Sequence, residues 1–283
     1  MLRIAVQAKG RLHEETMTML EESSIKLDMG KRQLLVSSKS FPVEVLFLRD
    51  DDIPQAVATG IADVGIVGEN EYVEKGEDAT IIKRLDFSKC RLSLAIPKAV
   101  EYPGVEWFNG KRIATSYPNI LRQFLDKNNV KADIHVITGS VEIAPSIKLA
   151  DCIFDIVSSG STLVTNNLKE VEVAMKSEAL MIANKNLSDE KQAILNELLF
   201  RFDSYKNAEG KKYIILNIPN DKIEEACALL PGMKSPTVTP LVQEGWSSLQ
   251  SVIEEKTFWH IINQLKNIGA EGILVVPIEK MIL

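Results

Sequence analysis

The sequence contains few of the residues that stapled or metal-centred folds require. It has 283 residues but only three cysteines and three histidines. Cys90, Cys152 and Cys227 are far apart and form no CxxC pair, which argues against a disulfide framework and against a zinc site. The histidines form no ligand motif either, so the sequence predicts no protein-built metal site.

Long apolar runs and an excess of positive charge are also missing. The longest apolar runs are strand-sized, whereas a membrane helix needs about 20 apolar residues. Residues 1–6 resemble a first strand more than a signal peptide. The net charge is −6, and duplex binding needs a basic stripe. We therefore expect a cytoplasmic protein with neither a membrane nor a nucleic acid as partner.

The composition is that of an ordinary globular protein, and its length fits about two to three domains. Strand and helix patterns alternate over the first 95 residues, which favours a largely parallel sheet covered by helices. Asp52 is the expected N-cap of the second helix. The predicted strands are 2–7, 33–37, 43–48 and 62–67, and the predicted helices are 12–22 and 53–59.

A second unit is expected from residue 96. An amphipathic helix, capped by Ser188, follows it at 188–204, and the polar segment 206–212 has the composition of a linker. The order beyond the linker is β-α-β-β-α-β, the ferredoxin-like arrangement. The predicted strands of the second unit are 111–115, 134–137 and 153–157, with a helix at 119–128.

The most informative segment is the hydroxyl-rich turn at 155–167, which follows a short apolar strand. Ser158, Ser159, Ser161 and Thr162 supply hydroxyls, and Gly160 allows a positive φ or a close approach to a ligand. A helix that begins at Thr162 would direct its positive end to the same point. From spacing alone, two interpretations stay open, a phosphate cradle and an ordinary Ser/Gly turn.

Cations also lie where predicted strands end. Lys9, Gly10 and Arg11 follow the first strand, and Arg49 ends another. Ligands of open α/β folds bind at such sheet edges, although a solvated basic turn fits the residues equally well. A further edge loop is expected at Gly65, Gly68, Glu69 and Asn70. No nucleophile elbow and no Walker motif is present, so the chain offers groups for holding phosphates instead of covalent catalysis.

Several segments together resemble one family, the long form of ATP phosphoribosyltransferase. Its signature reads here from Glu142 through Asp155 to Ser159-Gly160-Ser161-Thr162-Leu163, with Lys148 where the family usually has Gly. The resemblance covers essentially the whole chain. Further matching segments are 3–12, 49–54, 60–70, 230–237, 244–246 and 269–274.

This resemblance implies an enzyme that joins N1 of the adenine of ATP to C1 of phosphoribosyl pyrophosphate and releases pyrophosphate, with Mg²⁺ carried mainly by the diphosphate. It implies an α/β fold with a two-domain catalytic unit like periplasmic binding proteins and a C-terminal ferredoxin-like regulatory domain. The implied domains are 1–95 with 180–205, then 96–179 with the phosphoribosyl pyrophosphate loop, and 208–283. It also implies a hexamer in equilibrium with a dimer, and inhibition by histidine.

The resemblance also assigns residues to roles. Lys9, Arg49 and Asp155 are the implied catalytic residues. Phosphoribosyl pyrophosphate would be bound by Glu142, Asp155, Ser158, Ser159, Gly160, Ser161 and Thr162. ATP would be bound by Lys9, Gly10, Arg11, Gly68 and Glu69. Histidine would be bound by Asn217, which replaces a common Asp, and by Met233, Thr237, Val252 and Gly272.

Two alternative functions share this architecture. A solute-binding module should lack the anion loop and carry an export signal. A catalytically silent, histidine-binding subunit is disfavoured by the intact Ser159-Gly160-Ser161-Thr162 turn and the basic turn at Lys9.

Overall fold

The computed structural model describes residues 1–28 and 34–283. The chain forms two compact units, Met1–Leu195 and Asn196–Leu283. The predicted strand 33–37 is observed as Leu35–Ser37, and its first position lies outside the described residues. Among the described helices, none is long and apolar enough to cross a membrane.

The first sheet of the first unit has the strand order β2-β3-β1-β4-β11-β5. Its strands are β1 (Leu2–Gln7), β2 (Leu35–Ser37), β3 (Val43–Leu48), β4 (Val64–Gly68), β5 (Thr80–Arg84) and β11 (Ala179–Ala183). Its helices are α1 (Arg11–Glu22), α2 (Ile53–Ala58) and α3 (Glu69–Lys75). The apolar side chains of β1 and β4 are almost fully buried, as expected for strands covered on both faces.

The expectation of a largely parallel first sheet is wrong. β1 is parallel to β3 and to β4, but β2 is antiparallel to β3, and β11 is antiparallel to both of its neighbours. β11 begins about 95 residues after the end of β5. Local strand-helix alternation therefore could not reveal that β11 pairs with β4 and β5. The sheet is therefore mixed.

The second sheet has the order β10-β6-β9-β7-β8. Its strands are β6 (Cys90–Pro97), β7 (Arg112–Thr115), β8 (Asp133–Val136), β9 (Cys152–Val157) and β10 (Leu168–Ser177), and its helices are α4 (Pro118–Lys127) and α5 (Ser161–Thr165). Since β6 begins at Cys90, residues 90–95 belong to this sheet, although the sequence grouped them with the first. β7 and β9 are parallel, and their carboxyl ends lead into α4 and the hydroxyl-rich turn.

Helix α6 (Asp189–Ala208) crosses the limit between the two units. Ser188 begins it as predicted, since its Oγ accepts from the Lys191 N–H at 3.4 Å. The predicted linker at 206–212 is wrong, because α6 continues to Ala208 and the next strand starts at Lys211. Its polar residues occupy the solvated faces of regular elements, which composition alone does not distinguish from a linker.

The second unit contains the predicted β-α-β-β-α-β order, with the sheet order β13-β14-β12-β15. Its elements are β12 (Lys211–Pro219), α7 (Ile223–Leu229), β13 (Thr237–Pro240), β14 (Trp246–Glu254), α8 (Glu255–Asn267) and β15 (Glu271–Pro277). Alternate residues of β12 and β14 form its core with Leu265 of α8. The opposite face of the sheet carries the remaining side chains of these strands.

Candidate functional site

The hydroxyl-rich turn joins the end of β9 to α5. Gly160 has φ 83°, in the left-handed region that favours glycine, and it precedes α5, which begins at Ser161 and not at the expected Thr162. The hydroxyls of Ser159 and Ser161 lie 3.0 Å apart. Within the described part of the chain, the amides of Ser159 and Gly160 donate no hydrogen bond. The turn therefore presents free donors toward solvent.

Arg11 brings the basic turn after β1 into contact with this turn. Its Nη1 donates to Ser158 Oγ at 2.9 Å, and its Nη2 donates to the carbonyl of Lys89 at 2.8 Å. Gly10, with φ 95°, lies between β1, which ends at Gln7, and α1, which begins at Arg11. Lys9 is exposed beside it. The structure thus joins two segments that are about 150 positions apart in sequence.

A cleft lies beneath this contact, and we call it the serine-loop cleft. Its volume is about 370 Å³. The first sheet supplies Gln7, Arg11 and Gly68, and the second supplies Ser158 and Cys90. Both sheets therefore contribute walls to the same cleft.

Asp155 is half-buried in β9, the strand that ends directly before Ser158. Burial raises the pKa of its carboxyl to about 6, and the nearby charge of Glu142 adds to this, while the Ile156 N–H, which donates to Asp155 at 2.8 Å, opposes it. Glu142 lies in a short 3₁₀ turn at Val141–Ile143. Glu142 therefore acts on the Asp155 carboxyl through its charge.

Arg49 lines a neighbouring opening, which we call the tyrosine cleft, of about 710 Å³. Its side chain is 79% exposed and faces Asp51, with Nε 3.4 Å from Oδ1. The tyrosine cleft shares Asp50 and Glu71 with the serine-loop cleft. Asp52 occupies the predicted N-cap position of α2, but its side chain forms no capping hydrogen bond, because a 3₁₀ turn at Asp50–Asp52 leads directly into the helix.

The expected edge loop at Gly65–Asn70 is wrong as well. Gly65 lies inside β4, where a Cβ would meet Ile53 at 2.7 Å, and Gly68 passes directly into α3. Glu69 forms a two-pronged ion pair with Arg84, which also binds Glu178 at 3.0 Å. Gly68 lines the serine-loop cleft, whereas Glu69 lines a separate opening beside Ser158.

Two residues that the sequence did not single out face these clefts. Tyr117 donates to Glu71 Oε1 at 2.8 Å, and both side chains are buried. Burial and the charge of Glu71 raise the pKa of the Tyr117 hydroxyl, while burial raises the pKa of the Glu71 carboxyl. Tyr117 follows β7 just as Arg11 follows β1, so its position after a strand was the available signal.

In the second unit, three of the predicted histidine-binding residues lie on the face of the sheet opposite its core. Asn217 pairs with Ser248, Val252 pairs with Tyr213, and Thr237 pairs with Gln250. Gly272, with φ 56°, lies against Asn217, since a Cβ there would be 3.3 Å from Nδ2. Met233 is 54% exposed in the segment before β13.

Over the described ranges 1–28 and 34–283, no group of three or more His, Cys, Asp and Glu side chains is placed to hold a metal ion. Asp155 lies in the strand that leads into the hydroxyl-rich turn, and Glu142 acts on it through its charge. A Mg²⁺ that accompanied a diphosphate here would take most of its ligands from the diphosphate and water.

Comparison with known proteins places this chain in a family. The sequence model described as ATP phosphoribosyltransferase matches residues 49–204, and the one described as "HisG, C-terminal domain" matches residues 208–280. An ATP phosphoribosyltransferase of Bacteroides thetaiotaomicron is 71% identical over 283 residues and covers 100% of both chains. That of Cytophaga hutchinsonii is 58% identical and covers 99% of this chain and 98% of its own.

Solved structures agree with the fold. A chain of the ATP phosphoribosyl transferase (HisG:HisZ) complex from Thermotoga maritima has a TM-score of 0.62 and 28% identity, over 71% of this chain and 96% of its own. A periplasmic sulfonate-binding protein from Methylobacillus flagellatus has a TM-score of 0.51 at 14% identity, over 71% and 66%. The second likeness supports the periplasmic-binding-protein-like fold alone. The chain is thus an enzyme that belongs to the ATP phosphoribosyltransferase family.

Proposed function

We propose that the serine-loop and tyrosine clefts together bind ATP and phosphoribosyl pyrophosphate and catalyse the first step of histidine biosynthesis. The contact between Arg11 and Ser158 carries this proposal, because it places a cation from the first sheet on the hydroxyl-rich turn of the second. A site for two polyanions needs cations and free amides from both sides.

The hydroxyl-rich turn is the proposed seat of phosphoribosyl pyrophosphate. The free amides of Ser159 and Gly160, with the hydroxyls of Ser158, Ser159, Ser161 and Thr162, would hold the ribose 5-phosphate. Asp155 and Glu142 would accept hydrogen bonds from the ribose hydroxyls, which keeps two carboxylates away from the phosphate. The raised pKa of Asp155 fits a carboxylate that gains a donor when the sugar binds.

ATP is proposed to bind along the first sheet. Lys9, Gly10 and Arg11 lie at the carboxyl end of β1, and Gly68 ends β4 beside them. Glu69 would act through Arg84, whose guanidinium it already holds. Arg49 would approach a phosphate from the tyrosine cleft.

The reaction breaks the bond between C1 of the ribose and the pyrophosphate oxygen, and it forms a bond from C1 to adenine N1. The electron pair of the broken bond leaves with pyrophosphate, while the sugar becomes cationic in the transition state. The chain therefore has to align the two substrates and neutralise the leaving group, which Lys9 and Arg49 would do. Adenine N1 uses its own lone pair, so no general base is required.

Mg²⁺ is the proposed cofactor. When bound, it would neutralise charge on the diphosphate leaving group and would take most of its ligands from the diphosphate and from water.

The second unit is the proposed histidine sensor. Asn217, Thr237, Val252, Gly272 and Met233 would surround the ligand on the face opposite the core. A homo-oligomer, a hexamer in equilibrium with a dimer, is proposed as the working assembly. The Thermotoga maritima complex instead contains two differently named proteins, HisG and HisZ. The assembly proposed for this chain differs from it, because it consists of identical copies.

Domain limits and location complete the proposal. The first catalytic domain would be 1–95 with 180–205, the second 96–179, and the regulatory domain 208–283, except that residues 90–95 go to the second domain, whose sheet contains β6. A biosynthetic enzyme that uses ATP and phosphoribosyl pyrophosphate is expected in the cytoplasm, with no nucleic acid and no membrane as partner.

The deciding experiment mixes the protein with ATP, Mg²⁺ and phosphoribosyl pyrophosphate. We expect the near-ultraviolet absorbance of phosphoribosyl-ATP to appear, and we expect histidine to suppress it. Failure to form the product with each substrate saturating would refute the proposed function.

A further inference from the structure

Helix α3 connects the two sheets of the first unit. It follows β4 of the first sheet without a loop, whereas α4 follows β7 of the second sheet after two residues. Three of its side chains, Asn70, Glu71 and Glu74, are buried although they are polar. Positions spaced by three and four residues share one helix face, so the three form a single polar face on α3.

Glu74 caps the helix of the other sheet. Its Oε1 accepts from the Asn119 N–H at 2.9 Å, and its Oε2 accepts from the Ile120 N–H at 3.0 Å. The Asn119 side chain returns a bond of 3.0 Å to the Glu74 carbonyl. α4 has no side-chain cap of its own, because Tyr117 and Pro118 begin it. The first-turn amides that a local Ser or Asp usually satisfies are satisfied here by a carboxylate from α3.

Asn70 and Glu71 make the remaining contacts of this face. Glu71 accepts from the Tyr117 hydroxyl, and Asn70 exchanges hydrogen bonds with Ser177 at 2.9 and 3.1 Å. Ser177 ends β10, just before the chain returns to the first sheet at β11. α3 therefore contacts the elements of the second sheet at two separate places, the start of α4 and the end of β10.

From these contacts we infer that Glu74 is a positioning residue for the transfer reaction. It holds the start of α4, and with it Tyr117, at a fixed place relative to the first sheet. Arg11 and Ser158 face each other from the two sheets, so their separation depends on the same relative placement. This inference rests on the proposed function, since it concerns how well both substrates are held at once.

The carboxylate suits this role better than a neutral side chain. Both of its oxygens are used, and the negative charge faces the positive end of α4. In Glu74→Gln, one carboxylate oxygen becomes an amide NH₂ group. This donor would face a backbone N–H of α4, which is also a donor, and leaving both without an acceptor is costly in a buried site. We therefore expect Glu74→Gln to shift one sheet relative to the other while both sheets stay folded.

The test compares Glu74→Gln with Asp126→Asn, an exposed position of α4 whose change removes the same charge. We expect Glu74→Gln to raise the KM of both substrates and to lower kcat/KM by about tenfold or more. Asp126→Asn should match the parent protein. Circular dichroism and the thermal midpoint verify that both variants are folded at the assay temperature.

The outcomes separate the two proposals. If the kcat of Glu74→Gln falls only in proportion to the folded fraction while both KM values stay unchanged, the role of Glu74 is structural and the inference is overturned. Kinetics of Glu74→Gln equal to those of the parent protein also overturn it. An inactive parent protein counts against the proposed function instead. If Glu74→Gln does not fold, Asn119→Ala removes the side-chain bond to the Glu74 carbonyl together with an exposed bond that Asn119 Oδ1 accepts from Arg122 at 3.3 Å. Arg122→Ala, which removes the exposed bond alone, is its control. A rise in both KM values of about threefold in Asn119→Ala but not in Arg122→Ala supports the inference, and unchanged KM values overturn it.

Discussion

Arg11 and Ser158 are joined by a hydrogen bond of 2.9 Å, although one follows the first strand of the first sheet and the other follows β9 of the second sheet. The second donor of Arg11 reaches the Lys89 carbonyl, and Arg91 donates to the Ser158 carbonyl at 3.0 Å. Two guanidinium groups thus bind Ser158, the first serine of the hydroxyl-rich turn. An anion bound there would meet an arginine that is already oriented.

Arg11→Lys should weaken catalysis without unfolding the protein. A lysine keeps the charge but cannot reach two acceptors with a planar fork. We expect kcat/KM for both substrates to fall by about tenfold, a loss of about 1.4 kcal/mol of transition-state stabilisation. Arg122→Lys, an exposed change on α4, is the control. Equal kinetics in the two variants would count against a role for Arg11 in the cleft.

Gly160→Val should abolish turnover while the fold stays intact. A Cβ at Gly160 would approach Val157 no closer than 3.9 Å, so the cost arises from φ 83° and not from a clash. A β-branched residue with this φ is strained by at least about 1–2 kcal/mol, and the turn relaxes away from its phosphate-holding shape. Titration with phosphoribosyl pyrophosphate measures the loss. Gly110→Val, with φ 69° and open space around it, is the matched control and should bind normally.

Asp155→Asn should stabilise the protein at neutral pH and weaken catalysis. The native pKa of Asp155, about 6, lies above its usual value of 3.8. Stability of the native protein is therefore lost as the pH rises from 3.8 to about 6, where the buried carboxyl ionises. The variant should therefore gain about 1–3 kcal/mol above pH 6 and nothing below pH 4. Urea unfolding at both pH values checks the sign. A variant less stable than the parent at pH 7.5 would contradict the burial argument.

The sequence predicted the elements of this fold better than their pairing. Period-two and helical patterns placed β1, α4 and the β-α-β-β-α-β order of the second unit correctly, because those patterns are local. The antiparallel insertion of β11 beside β4 depends on contacts between distant segments, which no local pattern encodes.

The same division applies to the site. A common cleft lined by residues that follow strands, such as Arg11 and Ser158, was predictable because ligands of open α/β folds bind at strand ends. Tyr117 and Glu71 were not, since a buried tyrosine–carboxylate pair is visible only when the two sheets are placed together. Glu74 likewise caps a helix 45 residues later in the chain.

Lys148→Gly should stabilise the protein. Lys148 is exposed and has φ 62°, a conformation that costs a non-glycine residue about 1–2 kcal/mol. Glycine removes that strain but gains entropy in the unfolded chain, so we expect a net increase of up to about 1 kcal/mol in the free energy of unfolding. Chemical denaturation measures it, with Lys127→Gly at the exposed end of α4 as a control that should lose stability.

Gly272→Val should remove histidine inhibition and leave the transferase reaction intact. The added side chain would crowd the Asn217 amide, which lies 3.3 Å from the position of a Cβ, and the φ of 56° adds strain at the same point. Asn217 is a proposed ligand of histidine, so its displacement should raise the inhibitor concentration needed for half-inhibition by about tenfold or more. Gly245→Val is the control, because it has φ 84° but no atom within 4 Å of an added Cβ. Inhibition curves that coincide for Gly272→Val and the parent would show that histidine, if it acts, binds elsewhere in the chain.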